Sequence, residues 1–528
     1  MKKRVSCSII SIMEKQENPV MMATPKTAEK QKSLGQIMTP RLIVREVLDA
    51  AGYNVGTGIS SKKIFEPSCG NGSFLSDIVE RFVAECRAKG IPDAETSDLL
   101  KTNVFAADCD PKMVEACKEH IRLTLFCLLF EDAGCLDGNI IAEDSLTDPR
   151  DGFFDFVVGN PPYVKSTDFS KEKRDGFSLS DGRSDMYALF IEKSIRLAEV
   201  GSGIVCLITP NSWLRNEAER KMRAFFLANG ICSSIEDFSG SKVFGEVGTY
   251  VCITKIDLAK KEKGISVSEA VFQNGKVIRK GAPTIFIPDS DSVWTLGRDS
   301  QVTSDANNFL GKIVKTQYGV VTNCDSVFIG KAVGTDGKVT RFKNSKAKNE
   351  IFRIEADSVR RCVKGARIGS PDSEKAAVFP YVFENDGVRV FSEAEIAERP
   401  LLSAFISRFS SDLSKRDSDA KTPMWGYGRS QGLAKMGRWK LVIKNYVPAD
   451  CARISFLLVR PGDCVYSGIF ATTAERKTDA EEKAELEAVA AELSKNDAFA
   501  KWCVGRGHDI GGGYKTFRAK DVDSFPIK

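Results

Sequence analysis

Asn160, Pro161, Pro162 and Tyr163 follow directly on the apolar run "FFDFVVG", Phe153 to Gly159. The run reads as a buried strand, and two prolines end it because neither can donate a ladder hydrogen bond. What remains at the strand end is an Asn carboxamide, a Pro161 carbonyl and an aromatic ring. The carboxamide oxygen and the carbonyl can accept both hydrogens of one exocyclic amine. Held so, the amine nitrogen moves toward tetrahedral geometry and its lone pair becomes a nucleophile. The Tyr163 ring offers a face on which a flat base stacks.

Three further strand ends carry acids. "FEPSCGNGSFL", Phe65 to Leu75, passes from strand to helix through Glu66, Pro67, Ser68, Gly70 and Gly72, and its glycines let backbone approach a ligand closely. "AADCDP" ends a second strand with Asp108 and Cys109, where a carboxylate accepts from ribose hydroxyls. "AEDSL" places Asp144 to accept from an adenine amino group, with Ser145 beside it and Leu146 to pack on the ring. Singly, each acid fits a helix cap or a surface charge; as an ordered set they outline a nucleoside site. The third glycine of a dinucleotide fingerprint is missing, so a ligand without a diphosphate is expected.

These residues need strands to hold them. From Ile64 onward, short apolar runs alternate with helical stretches such as "LSDIVERFVAECRAKG" and "DMYALFIEKSIRLAEVG". That alternation predicts an α/β fold, a Rossmann-like, doubly wound and largely parallel sheet with its ligands at the carboxyl ends of the strands. Residues 1–33 read as a polar tail, 34–265 as this domain, 266–300 as a connector rich in Gly, Pro, Asp and Ser, and 301–528 as a mixed α+β domain. With 528 residues, 42% hydrophobic and 28% charged, the chain has the composition of a globular protein of more than one domain. Residues 1–300 carry a net charge of −3 and residues 301–528 one of +8, which points the second half toward a polyanion. Fifteen cysteines without CxxC pairs and two histidines predict reduced thiols and no bound metal. No apolar run approaches the roughly 20 residues needed to span a bilayer, so no membrane is expected.

The ordered set "GQIMTP", "EPSCGNGSFL", "ADCDP", "EDSL", "GNPPY" and "KVFGEVGTYVCIT" resembles the gamma class of DNA adenine-N6 methyltransferases, over nearly the whole chain from about residue 33. The resemblance implies S-adenosylmethionine as cofactor, with Thr39 and Pro40 at its methionine end. Glu66, Pro67, Ser68 and Gly70 would surround the methionine and ribose portions, and Asp108 with Cys109 the ribose. Asp144, Ser145 and Leu146 would lie at the adenine. Asn160, Pro161, Pro162 and Tyr163 would form the catalytic tetrad, Asn160 also touching the cofactor, and Phe244 would clamp a flipped base against Tyr163. "CGNG" departs from the commoner small-residue loop, and Asp108 stands where Glu is frequent.

The implied reaction is direct transfer of a methyl group from S-adenosylmethionine to the amino nitrogen of an adenine flipped from double-stranded DNA. A ring-carbon methylation would need a Pro-Cys nucleophile, and none stands at this strand end. The second half would be the target-recognition domain. There "KTPMWGYGRSQGLAKMGRWK", Lys421 to Lys440, mixes aromatics, glycines and cations, and Arg429, Ser430, Gln431 and Lys515 are the expected DNA contacts. A cytoplasmic modification enzyme of a restriction-modification or related defence system follows, with a cognate endonuclease as a further partner. The alternatives are methylation of RNA or of a protein glutamine, or a DNA-binding module that has lost catalysis.

Overall fold

The computed structural model describes residues 38–238, 241, 243, 244, 250–288, 290, 291, 293, 294, 296, 309–384, 387–511 and 513–527. The expected tail and the first residues of "GQIMTP" lie outside them. The chain divides into two compact units, Met1–Gly297 and Arg298–Lys528.

In the first unit ten strands form one sheet: β1 (Ile64–Glu66), β2 (Val104–Asp108), β3 (Ile140–Ala142), β4 (Phe156–Gly159), β5 (Ile204–Pro210), β6 (Cys232–Asp237), β7 (Val251–Asp257), β8 (Ile265–Gln273), β9 (Lys276–Arg279) and β10 (Thr284–Phe286). Their order is β3-β2-β1-β4-β5-β7-β6-β8-β10, with β9 paired to β8. Strands β1 to β5 run parallel, whereas β7 enters antiparallel between β5 and β6. The chain builds outward from β1 through β2 to β3 and then returns to the other side of β1 as β4. That reversal opens a crevice between β1 and β4 at their carboxyl ends.

Helices α1 (Arg41–Ala51), α2 (Ser73–Ala88), α3 (Asp93–Asn103) and α4 (Pro111–Cys127) share one core with one face of the sheet. On the other face are α5 (Met186–Leu197) and α6 (Arg220–Asn229). In α2 the inward apolar stripe runs Phe74, Leu75, Ile78, Val79, Phe82, Val83, Cys86, whereas α3 buries Thr96, Ser97 and Asn103 around Leu100. The turn from β1 into α2 depends on Gly72, which has φ of 88° and would place a β-carbon 2.9 Å from Cys117 Sγ on α4. Only glycine meets both conditions without displacing the helix.

Within residues 266–300, expected as a connector, the described residues up to Phe286 supply most of β8 and all of β9 and β10 of the first sheet. Strands β8 and β9 form a hairpin whose turn, Asn274 and Gly275, has φ of 52° and 66°, the twist such hairpins need. Beyond β10, Trp294 is buried 5.7 Å from Trp213 and 6.0 Å from Phe286, ring to ring. The alternation in "ISVSEAVFQNGKVIR" outweighs the turn-rich composition around it.

The second unit is mixed α and β. A six-stranded sheet runs in the order Phe352–Glu355, Val339–Asn344, Ile329–Asp336, Glu374–Val378, Val359–Lys364, Cys464–Tyr466, and a four-stranded one in the order Val314–Tyr318, Ile469–Thr473, Lys440–Ile443, Phe456–Val459. Helices Asp479–Leu493 and Asp497–Arg506 bury Leu486, Val489, Leu493, Phe499 and Cys503 in one core with the smaller sheet.

Candidate active site

A cavity of about 340 Å³ opens at the β1/β4 crevice. Its lining includes Thr39, Glu66, Pro67, Ser68, Gly70, Asp108, Cys109, Asp144, Ser145, Asn160 and Pro162. Residues from five separated stretches meet there: four sit at the end, or just past the end, of β1, β2, β3 or β4, and Thr39 stands just before α1. Pro40 stands one residue behind, as the N-cap of α1. Leu146 is buried in a small apolar cluster with Leu189 and Phe190, beside Phe169, Phe177 and Met186. Sequence reading missed Phe169, Lys173, Met186 and Phe190 in the lining. Their helical spacing or loop position carries no chemical signal until the chain is folded.

The Asn160 carboxamide is fixed in orientation: its Nδ2 donates to Thr39 Oγ1 at 3.1 Å, and Ser68 Oγ donates to the Asn160 carbonyl at 3.0 Å. Pro161 is buried, and Tyr163 donates its hydroxyl to the Ile208 carbonyl on β5 at 3.3 Å. The Tyr163 and Phe244 rings meet edge to face, 6.1 Å apart at 66°. Neither lines the cavity.

Asp108 accepts from the Gly70 amide at 3.0 Å and from the Asp110 amide at 2.9 Å, which ties the glycine loop to the end of β2. Burial pushes its carboxyl up, partly opposed by those two amides. Glu66 is 1% exposed, and burial, then the neighbouring Cys69 and Asp108, hold its carboxyl well above the usual carboxylate range. Asp144 caps the short turn after β3: one oxygen accepts from the Leu146 amide at 3.1 Å and the other takes the Lys173 ammonium at 2.8 Å.

Two buried oxygens at the cavity, Glu66 Oε2 and Ser145 Oγ, have no hydrogen-bond partner among the described residues. A buried polar atom left so costs about 1–3 kcal/mol, so a polar ligand is what the cavity is built to receive. At Gly70, with φ of 50°, nothing lies within 4 Å of where a β-carbon would be, leaving open space against the backbone. Buried acceptors and open backbone together suit the cavity to a polar ligand.

In the second unit, Arg429 lies between two carboxylates, ion-paired to Asp417 and, at 3.2 Å, to Asp419, which also accepts from the Ser430 amide at 3.0 Å. Gln431 is exposed beside them. The expectation for Lys515 is corrected: it is 1% exposed on the strand Tyr514–Thr516, so its ammonium is not presented to a phosphate.

The sheet of order β3-β2-β1-β4-β5-β7-β6 thus carries its acceptors at the carboxyl edge of its parallel half. Residues 102–244 match the model of the Eco57I restriction-modification methylase. Among curated relatives, the Type II methyltransferase M.PaeR7I of Pseudomonas aeruginosa is 30% identical over 220 residues, 39% of this chain and 37% of the relative. The Type II restriction enzyme and methyltransferase RM.Eco57I of Escherichia coli is 23% identical over 482 residues, 75% of this chain and 47% of the relative. The chain thus spans less than half the length of either. Among solved structures, the Type IIL restriction-modification enzyme MmeI in complex with DNA shares the fold with a TM-score of 0.57 at 16% identity, over 90% of this chain and 63% of that one. The DrdV–DNA complex follows at 0.52 and 13%, over 89% and 53%.

Proposed function

We propose that the protein is a site-specific DNA methyltransferase that methylates the amino nitrogen of an adenine flipped from the duplex, as the modification activity of a restriction-modification system. The observation that carries this reading is Asn160, held by Thr39 and Ser68 on the wall of a cavity that also exposes Glu66, Asp108 and Asp144.

When bound, S-adenosylmethionine supplies a methyl group on a sulfonium centre, whose departure as a neutral thioether needs no covalent help from the protein. The protein's share is positioning. Because Nδ2 of Asn160 is committed to Thr39, the carboxamide oxygen is the group it offers an incoming amine, and the Pro161 carbonyl is the second acceptor. Holding reactants at such a geometry is worth several kcal/mol. A base stacked between Tyr163 and Phe244 requires those rings to part from their edge-to-face contact, and the stacking gained offsets part of the few kcal/mol spent unstacking it from the duplex. DNA as substrate is supported by the neighbours solved with DNA, an endonuclease as partner by the relatives' names, and adenine as target by the resemblance of the ordered motifs.

The test is transfer of labelled methyl to unmethylated duplex DNA, with RNA and protein as parallel acceptors. Label on DNA adenine is expected, reduced roughly a hundredfold or more in Asn160→Ala while cofactor affinity stays within a few fold. Label on RNA or protein instead overturns the substrate, and an active Asn160→Ala overturns the mechanism.

A further inference from the structure

Strands Ile329–Asp336, Val339–Asn344 and Phe352–Glu355 form one end of the six-stranded sheet of the second unit. Their registers set Lys331 directly opposite Lys343 and Arg341 directly opposite Arg353. Opposed residues share a face, as do alternate residues along a strand, so all four cations stand on one side of the sheet. The other side buries Thr340, Phe342 and Ile354 in the core. All four cations are exposed. Opposed β-carbons lie about 5 Å apart and alternate residues about 6.6 Å along the strand, so the four charges form one compact patch.

Like charges placed directly opposite destabilise a sheet. Here two such pairs adjoin, and among the described residues none of the four takes part in an ion pair. The face has two carboxylates: Glu355 is occupied by the Leu401 and Leu402 amides, at 2.9 and 2.8 Å, and Asp336 lies at the hairpin turn. A bulge between Ala332 and Gly334 brings Gly334 opposite Arg341, and the guanidinium lies 2.9 Å from where a β-carbon of Gly334 would stand. Any larger residue would displace it.

Resting on the DNA-acting reading above, we propose that this face is a phosphate track that holds the backbone of duplex DNA independently of sequence. Two guanidiniums and two ammoniums without internal counter-ions match a row of phosphates, and Arg adds bidentate hydrogen bonds to phosphate oxygens. The track is distinct from the Arg429 loop, whose cation already has two carboxylate partners.

The experiment compares the full chain with K331Q/R341Q/K343Q/R353Q. Affinity for a fluorescent duplex is measured by anisotropy over a range of salt concentrations, alongside S-adenosylmethionine affinity and thermal stability. Each phosphate that is no longer neutralised lowers the slope of log affinity against log salt by about 0.9, so a drop of two to four such steps and roughly tenfold or weaker binding at low salt are expected, equally for all sequences. Cofactor affinity should stay at the unsubstituted value and the melting temperature at or above it, since the like-charge pairs are relieved, which excludes misfolding. An unchanged salt slope in the variant, while the unsubstituted protein binds and methylates DNA, overturns the track alone. Failure of the unsubstituted protein to bind duplex DNA overturns both readings, and a stronger loss for RNA than for duplex assigns the face to a different polyanion and overturns the proposal as well.

Discussion

At the scale of single residues, Asp144 shows an acceptor already engaged by the protein itself. Lys173 holds one oxygen of the carboxylate that the resemblance assigns to the cofactor adenine, and the pair is partly exposed, with side-chain accessibilities of 44% and 31%. An exposed pair of this kind is worth about 1 kcal/mol or less. Lys173→Met should therefore tighten S-adenosylmethionine binding by roughly two- to fivefold, read by calorimetry, and weaker binding would show that Lys173 itself contacts the cofactor. Residues are also where sequence and structure agree most and least. Asn160, Glu66, Asp108 and Asp144 are legible because each follows a strand signal with a turn, so type and place are both fixed. Lys515 is not, since a lysine two residues from a glycine run gives no sign that its strand is inward. The opposed pairs Lys331/Lys343 and Arg341/Arg353 are equally hidden, because a register exists only between strands.

Among elements, α6 rests on an uncomfortable residue. Glu219 is its N-cap, 1% exposed, and its Oε2 has no hydrogen-bond partner among the described residues. Burial, with Asp185 and Asp181 nearby and Arg223 partly opposing them, pushes its carboxyl from 4.5 up to about 7. The folded chain thus keeps this proton over a pH range in which the unfolded chain has lost it. Stability from this group is highest below about 4.5 and declines as pH rises to about 7, by an amount on the order of 3 kcal/mol. Glu219→Gln should flatten that decline, so the variant gains melting temperature over the parent at pH 8 and little at pH 4.5. An equal gain at both pH values would refute the titration. At this scale the sequence also hid part of the fold: β7 reads plainly as a strand, but β8 stands where a connector was expected, and antiparallel entry of β7 between β5 and β6 is a matter of pairing, which no run of residues encodes.

For the whole molecule, the division of charge separates two kinds of binding. A cavity that meets its ligand through fixed acceptors should be nearly indifferent to ionic strength, whereas the half with a net charge of +8 should hold a polyanion with a steep salt dependence. Between 50 and 200 mM salt, cofactor affinity is expected to change by less than about twofold and DNA affinity by roughly a hundredfold or more. Titrations of each ligand across that range check both, and a salt-insensitive DNA affinity would mean that phosphate contacts do not dominate.

The placement of the site within the sheet also bears on how such a chain can change over generations. Glu66, Asp108, Asp144 and Asn160 hang from β1, β2, β3 and β4, while the β8–β9 hairpin hangs from the opposite flank, beyond β5, β7 and β6. At about 4.8 Å per strand that flank begins more than 15 Å away from β4. Insertions at Asn274–Gly275 can accumulate there without moving an atom of the crevice, whereas one residue added at Asn71 would shift the whole glycine turn. Variation is thus channelled outward, and the lineage can remodel its periphery while inheriting its chemistry intact.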